Sequence, residues 1–184
     1  MSEITGLFKE IFCAIVKSLT REIIVKKRIV VDMSDAKVSS DPDDVLTTYS
    51  LGSCVGVAMY DPVARVGGLL RYQLPDSGLD KPRARKYPFM FADTGMAILV
   101  KKLLAMGAGR KRMQVKIAGG ASMSTGPQGF DIGERNYLVL RNLLWKNDMF
   151  IDSEDVGGTS PRNMYLNLGN GSVTVRSVGL EKKL

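Results

Sequence analysis

The chain has 184 residues and no histidine, with 26 Lys and Arg against 19 Asp and Glu for a formal charge of +7. That length suits one domain, or one domain with an appendage, and a chain of this size buries roughly 70% of its unfolded surface without a disulfide or a metal to hold it. The missing histidine excludes a Ser-His-Asp triad and a Cys-His dyad, and two cysteines, Cys13 and Cys54, are too few for a structural zinc site within one chain.

No cofactor and no metal is therefore expected. Two cysteines also form no disulfide framework, which fits a reducing, cytoplasmic setting. No stretch reaches the 18 or so uncharged apolar residues of a membrane span, so stable membrane insertion is not expected. The positive charge gathers at Lys26-Lys27-Arg28, at residues 81–86 and at Arg110-Lys111-Arg112. No RNP motif, zinc finger or helix-turn-helix accompanies these clusters, so they read as solvated loops and helix ends, not as a nucleic-acid surface.

Residues 4–25 carry Ile4, Leu7, Phe8, Ile11, Phe12, Ile15, Leu19 and Ile23 on one stripe at helical spacing, with Lys9, Glu10, Cys13, Lys17 and Arg21 opposite. They predict an amphipathic helix that docks on the body or mediates self-association. Residues 1–27 are thus an N-terminal extension and 28–184 the main domain. Residues 28–33 read as a short strand, and 34–44, rich in Ser and Asp, as a loop. Residues 46–60 are β-prone and interrupted at Gly52-Ser53. Asp61-Pro62 opens a turn, and 66–74 return as the second arm of a hairpin.

Residues 75–88 read as a basic, proline-containing loop. Helices are expected over 89–106, closed by Gly107, and over 132–147, where Tyr137 and Trp145 have core or interface spacing. Residues 113–118 alternate as a strand, 119–129 form a loop and 149–156 a further strand. A terminal hairpin joins 163–168 to 172–176 across Gly169-Asn170-Gly171. Hairpins interleaved with helices predict an α/β (α+β) sandwich with a mixed, mainly antiparallel sheet under covering helices.

The phrase Thr48-Tyr49-Ser50-Leu51-Gly52-Ser53-Cys54-Val55 places a thiol at the start of a strand, after a glycine that lets the chain turn. Backbone N–H groups around such a turn can hold an oxyanion while a thiolate attacks an amide carbon. On residue type alone the signal is weak, and a buried core cysteine is the more common case.

Further phrases run in order along the chain. Tyr60-Asp61-Pro62, Val66-Gly67-Gly68 and Leu74-Pro75 come first. Lys86-Tyr87 opens the next helix and Gly107-Ala108 ends it. Residues 116–123 read KIAGGASM, 132–136 read IGERN, and Asp155-Val156-Gly157-Gly158 precedes Pro161-Arg162. Together these closely resemble the CheD family of chemotaxis proteins over roughly residues 28–178.

The resemblance implies an α/β sandwich and the hydrolysis of glutamine side chains on methyl-accepting chemotaxis receptors to glutamate. It also implies partnership with those receptors and with a CheC-type phosphatase. Residue by residue, Cys54 matches the family's nucleophile and Thr48 its third catalytic residue, with Gly52 and Ser53 shaping the turn. The family's general base is a histidine in a GGxxHxxLP phrase, which here reads GGLLRYQLP, so Arg71 stands in its place. A guanidinium near Cys54 favours the thiolate. It does not hand a proton to departing ammonia. Tyr72 or a water remains as a relay. Two expectations follow: a deamidase with impaired turnover, or a non-catalytic adaptor that binds receptors or the phosphatase.

Overall fold

The computed structural model describes residues 26–122 and 131–184. The expected first helix, with Cys13, lies outside the described residues, as does most of the loop after Gly119.

Among the described residues, ten strands and three α-helices follow in order: β1 (Lys27–Val30), β2 (Asp35–Ser39), β3 (Asp44–Leu51), β4 (Val55–Asp61), β5 (Val66–Tyr72), α1 (Lys81–Lys86), α2 (Ala92–Ala105), β6 (Gln114–Gly119), α3 (Ile132–Trp145), β7 (Ser153–Val156), β8 (Arg162–Asn167), β9 (Val173–Ser177) and β10 (Leu180–Lys183). The strands form two five-stranded sheets, ordered β1-β3-β8-β9-β10 and β2-β5-β4-β6-β7. The pairs β1·β3 and β6·β7 are parallel and the others antiparallel. The expected α+β sandwich with a mixed, mainly antiparallel pattern is what the chain forms. Its strands divide between two sheets where the sequence pointed to one.

The layering follows from β4 and β5, which are buried along their whole lengths. Successive side chains alternate faces. Val55, Val57, Met59, Val66, Leu70 and Tyr72 pack with Met96, Leu99 and Leu103 of α2 and with Leu140 and Leu144 of α3. Ala58, Tyr60 and Leu69 face the other sheet, against Leu46, Leu51, Met164, Leu166, Val173 and Val175. The result is helices on a sheet on a sheet. Gly67 and Gly68 permit this closeness on both faces. A Cβ on Gly68 would lie 2.7 Å from Leu99, and one on Gly67 2.9 Å from Leu168.

Four expectations need correcting. Residues 34–44 are not all loop, because β2 pairs with β5 from Asp35↔Arg71 to Ser39↔Gly67 and buries Ala36. Within the expected basic loop, Lys81–Lys86 is a helix capped by Asp80, whose side chain accepts from the Arg83 N–H at 3.0 Å. Pro82 sits in its first turn, where proline is tolerated. Lys86 therefore closes a helix, and the next one starts at Ala92. Trp145 is no core residue: it is 71% exposed.

The register brings one set of loops together. Val55 lies opposite both Tyr72 and Gly119, Leu51 opposite Arg162, Gly119 opposite Val156 and Asn163 opposite Arg176. The ends of β3, β5, β6, β7 and β9 and the starts of β4 and β8 therefore meet at one end of the sandwich. The β3–β4 turn with Cys54 lies there.

Candidate active site

β3 does not reach the turn as a regular strand. Its pairing with β8 shifts register between Thr48 and Leu51, and Ser50 has φ 53°. A non-glycine residue in that left-handed region needs support. The Ser50 N–H donates to Asn163 Oδ1 at 2.9 Å, and its carbonyl accepts from the Gly52 N–H at 3.0 Å.

Arg71 supplies further support. It lies on the face of β5 that looks toward the first sheet and is only 9% exposed. Its Nη1 donates to the Tyr49 carbonyl at 2.6 Å and to Thr48 Oγ1 at 3.4 Å, and its Nη2 donates to the Ser50 carbonyl at 3.3 Å. Its Nε is buried without a partner among the described residues. Thr48 is fully buried beside it.

The turn itself is held from the other side. The Ala121 N–H donates to the Gly52 carbonyl at 2.8 Å and the Gly120 N–H to the Cys54 carbonyl at 2.9 Å. Asn136 Nδ2 donates to the Ser53 carbonyl at 2.9 Å and to the Gln73 carbonyl at 2.7 Å. The carbonyls of Tyr49, Ser50, Gly52, Ser53 and Cys54 thus each have a donor. Gly119 is required here: its φ is +110°, and a Cβ would fall 2.3 Å from the Cys54 carbonyl oxygen.

Cys54 is half-buried and packs against the inter-sheet core. Two residues on, Gly56 lies opposite Arg71. Cys54 and Arg71 are therefore diagonal neighbours on one face, a spacing of roughly 7–8 Å that a long side chain can span. The guanidinium instead turns toward β3.

Tyr72 points to the opposite face. It is fully buried, and its hydroxyl donates to the Asn136 carbonyl at 2.9 Å. Burial, with Cys54 adding to it, pushes the phenol well above its ordinary value. The hydroxyl that sequence reading offered as a relay is committed elsewhere and does not ionise near neutral pH. Among the described residues no cluster of His, Cys, Asp and Glu could hold a metal ion.

The structure thus brings Thr48 into contact with Arg71, and builds the turn from Gly52, Ser53 and Cys54. Asn136 was not singled out from sequence, although a signal existed. Gly133, Asn136, Leu140 and Leu144 make the buried stripe of α3, and a polar amide on such a stripe must find partners.

The fold and this turn define the class, an α+β sandwich with a thiol at the loop end of its sheets. A family model described as CheD chemotactic sensory transduction matches residues 73–177, a span that begins just after Arg71. A relative in Solibacter usitatus, named a probable chemoreceptor glutamine deamidase CheD, is 46% identical over 86% of this chain and 94% of its own length. Relatives of the same kind in Syntrophus aciditrophicus and Anaeromyxobacter dehalogenans are 46% and 41% identical, over 82% and 81% of this chain and 94% of their own lengths. A crystal structure of a Neisseria meningitidis protein of the DUF152 family is similar at a TM-score of 0.43 and 11% identity, covering 78% of this chain and 67% of that one. The chain belongs to the CheD family. Among its described residues, no helix is long and apolar enough to cross a membrane.

Proposed function

We propose that this chain hydrolyses glutamine side chains of methyl-accepting chemoreceptors to glutamate through Cys54, at a rate held down by Arg71. The thiolate attacks the side-chain amide carbon, a water protonates the nitrogen, the C–N bond breaks, and ammonia leaves with a thioester on Cys54. Water then splits the thioester to give the carboxylate and restore the thiol. The observation that carries this reading is the Cys54 turn, a half-exposed residue on a segment where the carbonyls of Gly52, Ser53 and Cys54 are each held by a donor. The names of the relatives supply the substrate.

Arg71 supports a slow reaction. An arginine stays protonated, so it does not alternate as acid and base, and losing that partner costs about 10²- to 10⁴-fold in rate. The test is mass spectrometry of a receptor cytoplasmic fragment incubated with excess protein. Glutamine-to-glutamate conversion that disappears in Cys54→Ala is expected. No conversion after long incubation contradicts it.

A second reading is favoured by the same guanidinium, which is taken up by Thr48, Tyr49 and Ser50. On that reading the chain is a non-catalytic adaptor that binds receptor helices or a CheC-type phosphatase. It predicts receptor binding in a pull-down with no conversion, unaltered by Cys54→Ala.

A further inference from the structure

We infer that Asn136 is a positioning residue for the reaction, which orients the Ser53–Cys54 peptide so that the Cys54 N–H faces the substrate and receives the developing oxyanion. This rests on the reading of Cys54 as the nucleophile. Asn136 is fully buried on α3 and spends both protons of its amide on two carbonyls, Ser53 at 2.9 Å and Gln73 at 2.7 Å. With oxygens on both of those bonds, the amide has one sensible orientation. Its Oδ1 is left buried without a partner among the described residues. An unpaired acceptor is costly in an interior, so the site keeps a double donor at the expense of one oxygen.

The geometric consequence follows from the planar trans peptide. The bond between Ser53 and Cys54 is trans, like every other described here. Its C=O and N–H point in opposite directions. Drawing the Ser53 oxygen toward α3 turns the Cys54 N–H to the other side. The same device acts on either flank, where Ala121 holds the Gly52 oxygen and Gly120 the Cys54 oxygen. Asn136 is the one side chain among these three donors, and the Gln73 bond ties the turn to the exit of β5. An N–H aimed in advance at the tetrahedral oxygen stabilises charge without reorganising at the moment of attack.

The test separates carbonyl chemistry from plain thiol reactivity and needs no turnover, so Arg71 does not interfere. Cys54 of the full chain is reacted with p-nitrophenyl acetate, in which the thiolate attacks the ester carbonyl, the S–C bond forms and p-nitrophenolate leaves. In parallel it is alkylated with iodoacetamide, which displaces iodide and makes no oxyanion. Asn136→Ala should lower the ratio of acylation to alkylation by about 10- to 100-fold, less than the about 10²- to 10³-fold for deleting an oxyanion donor outright, because the Cys54 N–H itself remains. Leu144→Ala, which only empties the core under the same helix, should lower Tm and leave the ratio alone. If the alanine variant does not fold, Asn136→Leu fills the same space, loses both donors without adding a charge and should show the same fall.

A folded Asn136 variant with the wild-type ratio overturns the inference. Wild-type Cys54 that alkylates but is not acylated overturns the nucleophile reading beneath it.

Discussion

Arg71 ties β5 to β3 through a single side chain. The geometry gives it three oxygens on β3, and the 2.6 Å bond to the Tyr49 carbonyl is the shortest of them. A flat guanidinium holds its donors in a fixed fork that suits these spaced oxygens, whereas an ammonium gathers its donors at one point. Arg71→Lys should therefore destabilise the protein by about 1–3 kcal/mol, the range for losing a buried bond from a charged donor, as measured by urea unfolding. A wild-type midpoint would show that the β3 bonds carry no weight. Gly119→Ala should cost about 2 kcal/mol, since it sets a side chain against the Cys54 carbonyl and strains φ. Cys54, Thr48 and Arg71 were picked out by the resemblance of their phrases to those of the CheD family, not by residue type alone. Asn136 was not, because its two partners, Ser53 and Gln73, lie 83 and 63 residues away.

At the scale of elements, β4 and β5 were plain as a hairpin, and their turn has a clear cause. The Asp61 carboxylate accepts from the N–H groups of Val63 and Ala64 within the turn, and from the Gly109 N–H and the Arg112 guanidinium beyond α2. Burial raises its carboxyl, but Arg112 and the three backbone N–H groups outweigh that and hold it well below the usual carboxylate range. A depressed folded value means a contribution present above the unfolded value near 3.9 and lost as pH falls through the folded one. Asp61→Asn should thus be about 2 kcal/mol less stable than wild type at pH 7, and the gap should narrow below about pH 4. Urea unfolding at both pH values checks this, and a constant gap would refute it.

Other elements escaped notice for physical reasons. β2 is made of Asp, Ala, Lys, Val and Ser, of which only Val is a strong strand former, and its pairing with β5 holds it in place. β10 is exposed along its length, so no hydrophobic alternation announces it, and its strand character comes from pairing with β9. The helix Lys81–Lys86 was hidden by a proline that in fact occupies its first turn.

Over the whole molecule, the division into two sheets could not be read from the chain. β4 and β5 are covered on both faces, so their sequences run apolar throughout and do not report which neighbours they serve. That double cover is nevertheless what makes the site. It sandwiches Arg71 between the sheets, brings Thr48 across to meet it, and leaves the Cys54 turn at the open end where the loops meet. On the function proposed above, Cys54 is the nucleophile of a deamidase that Arg71 slows. The most direct measurement is the rate of glutamine-to-glutamate conversion on a receptor cytoplasmic fragment, wild type against Arg71→His. Slow conversion by wild type is expected, with a rate about 10²-fold higher for Arg71→His and none in either background once Cys54 is alanine. Conversion that survives Cys54→Ala, or an Arg71→His protein that binds the fragment and converts none of it, would contradict the claim.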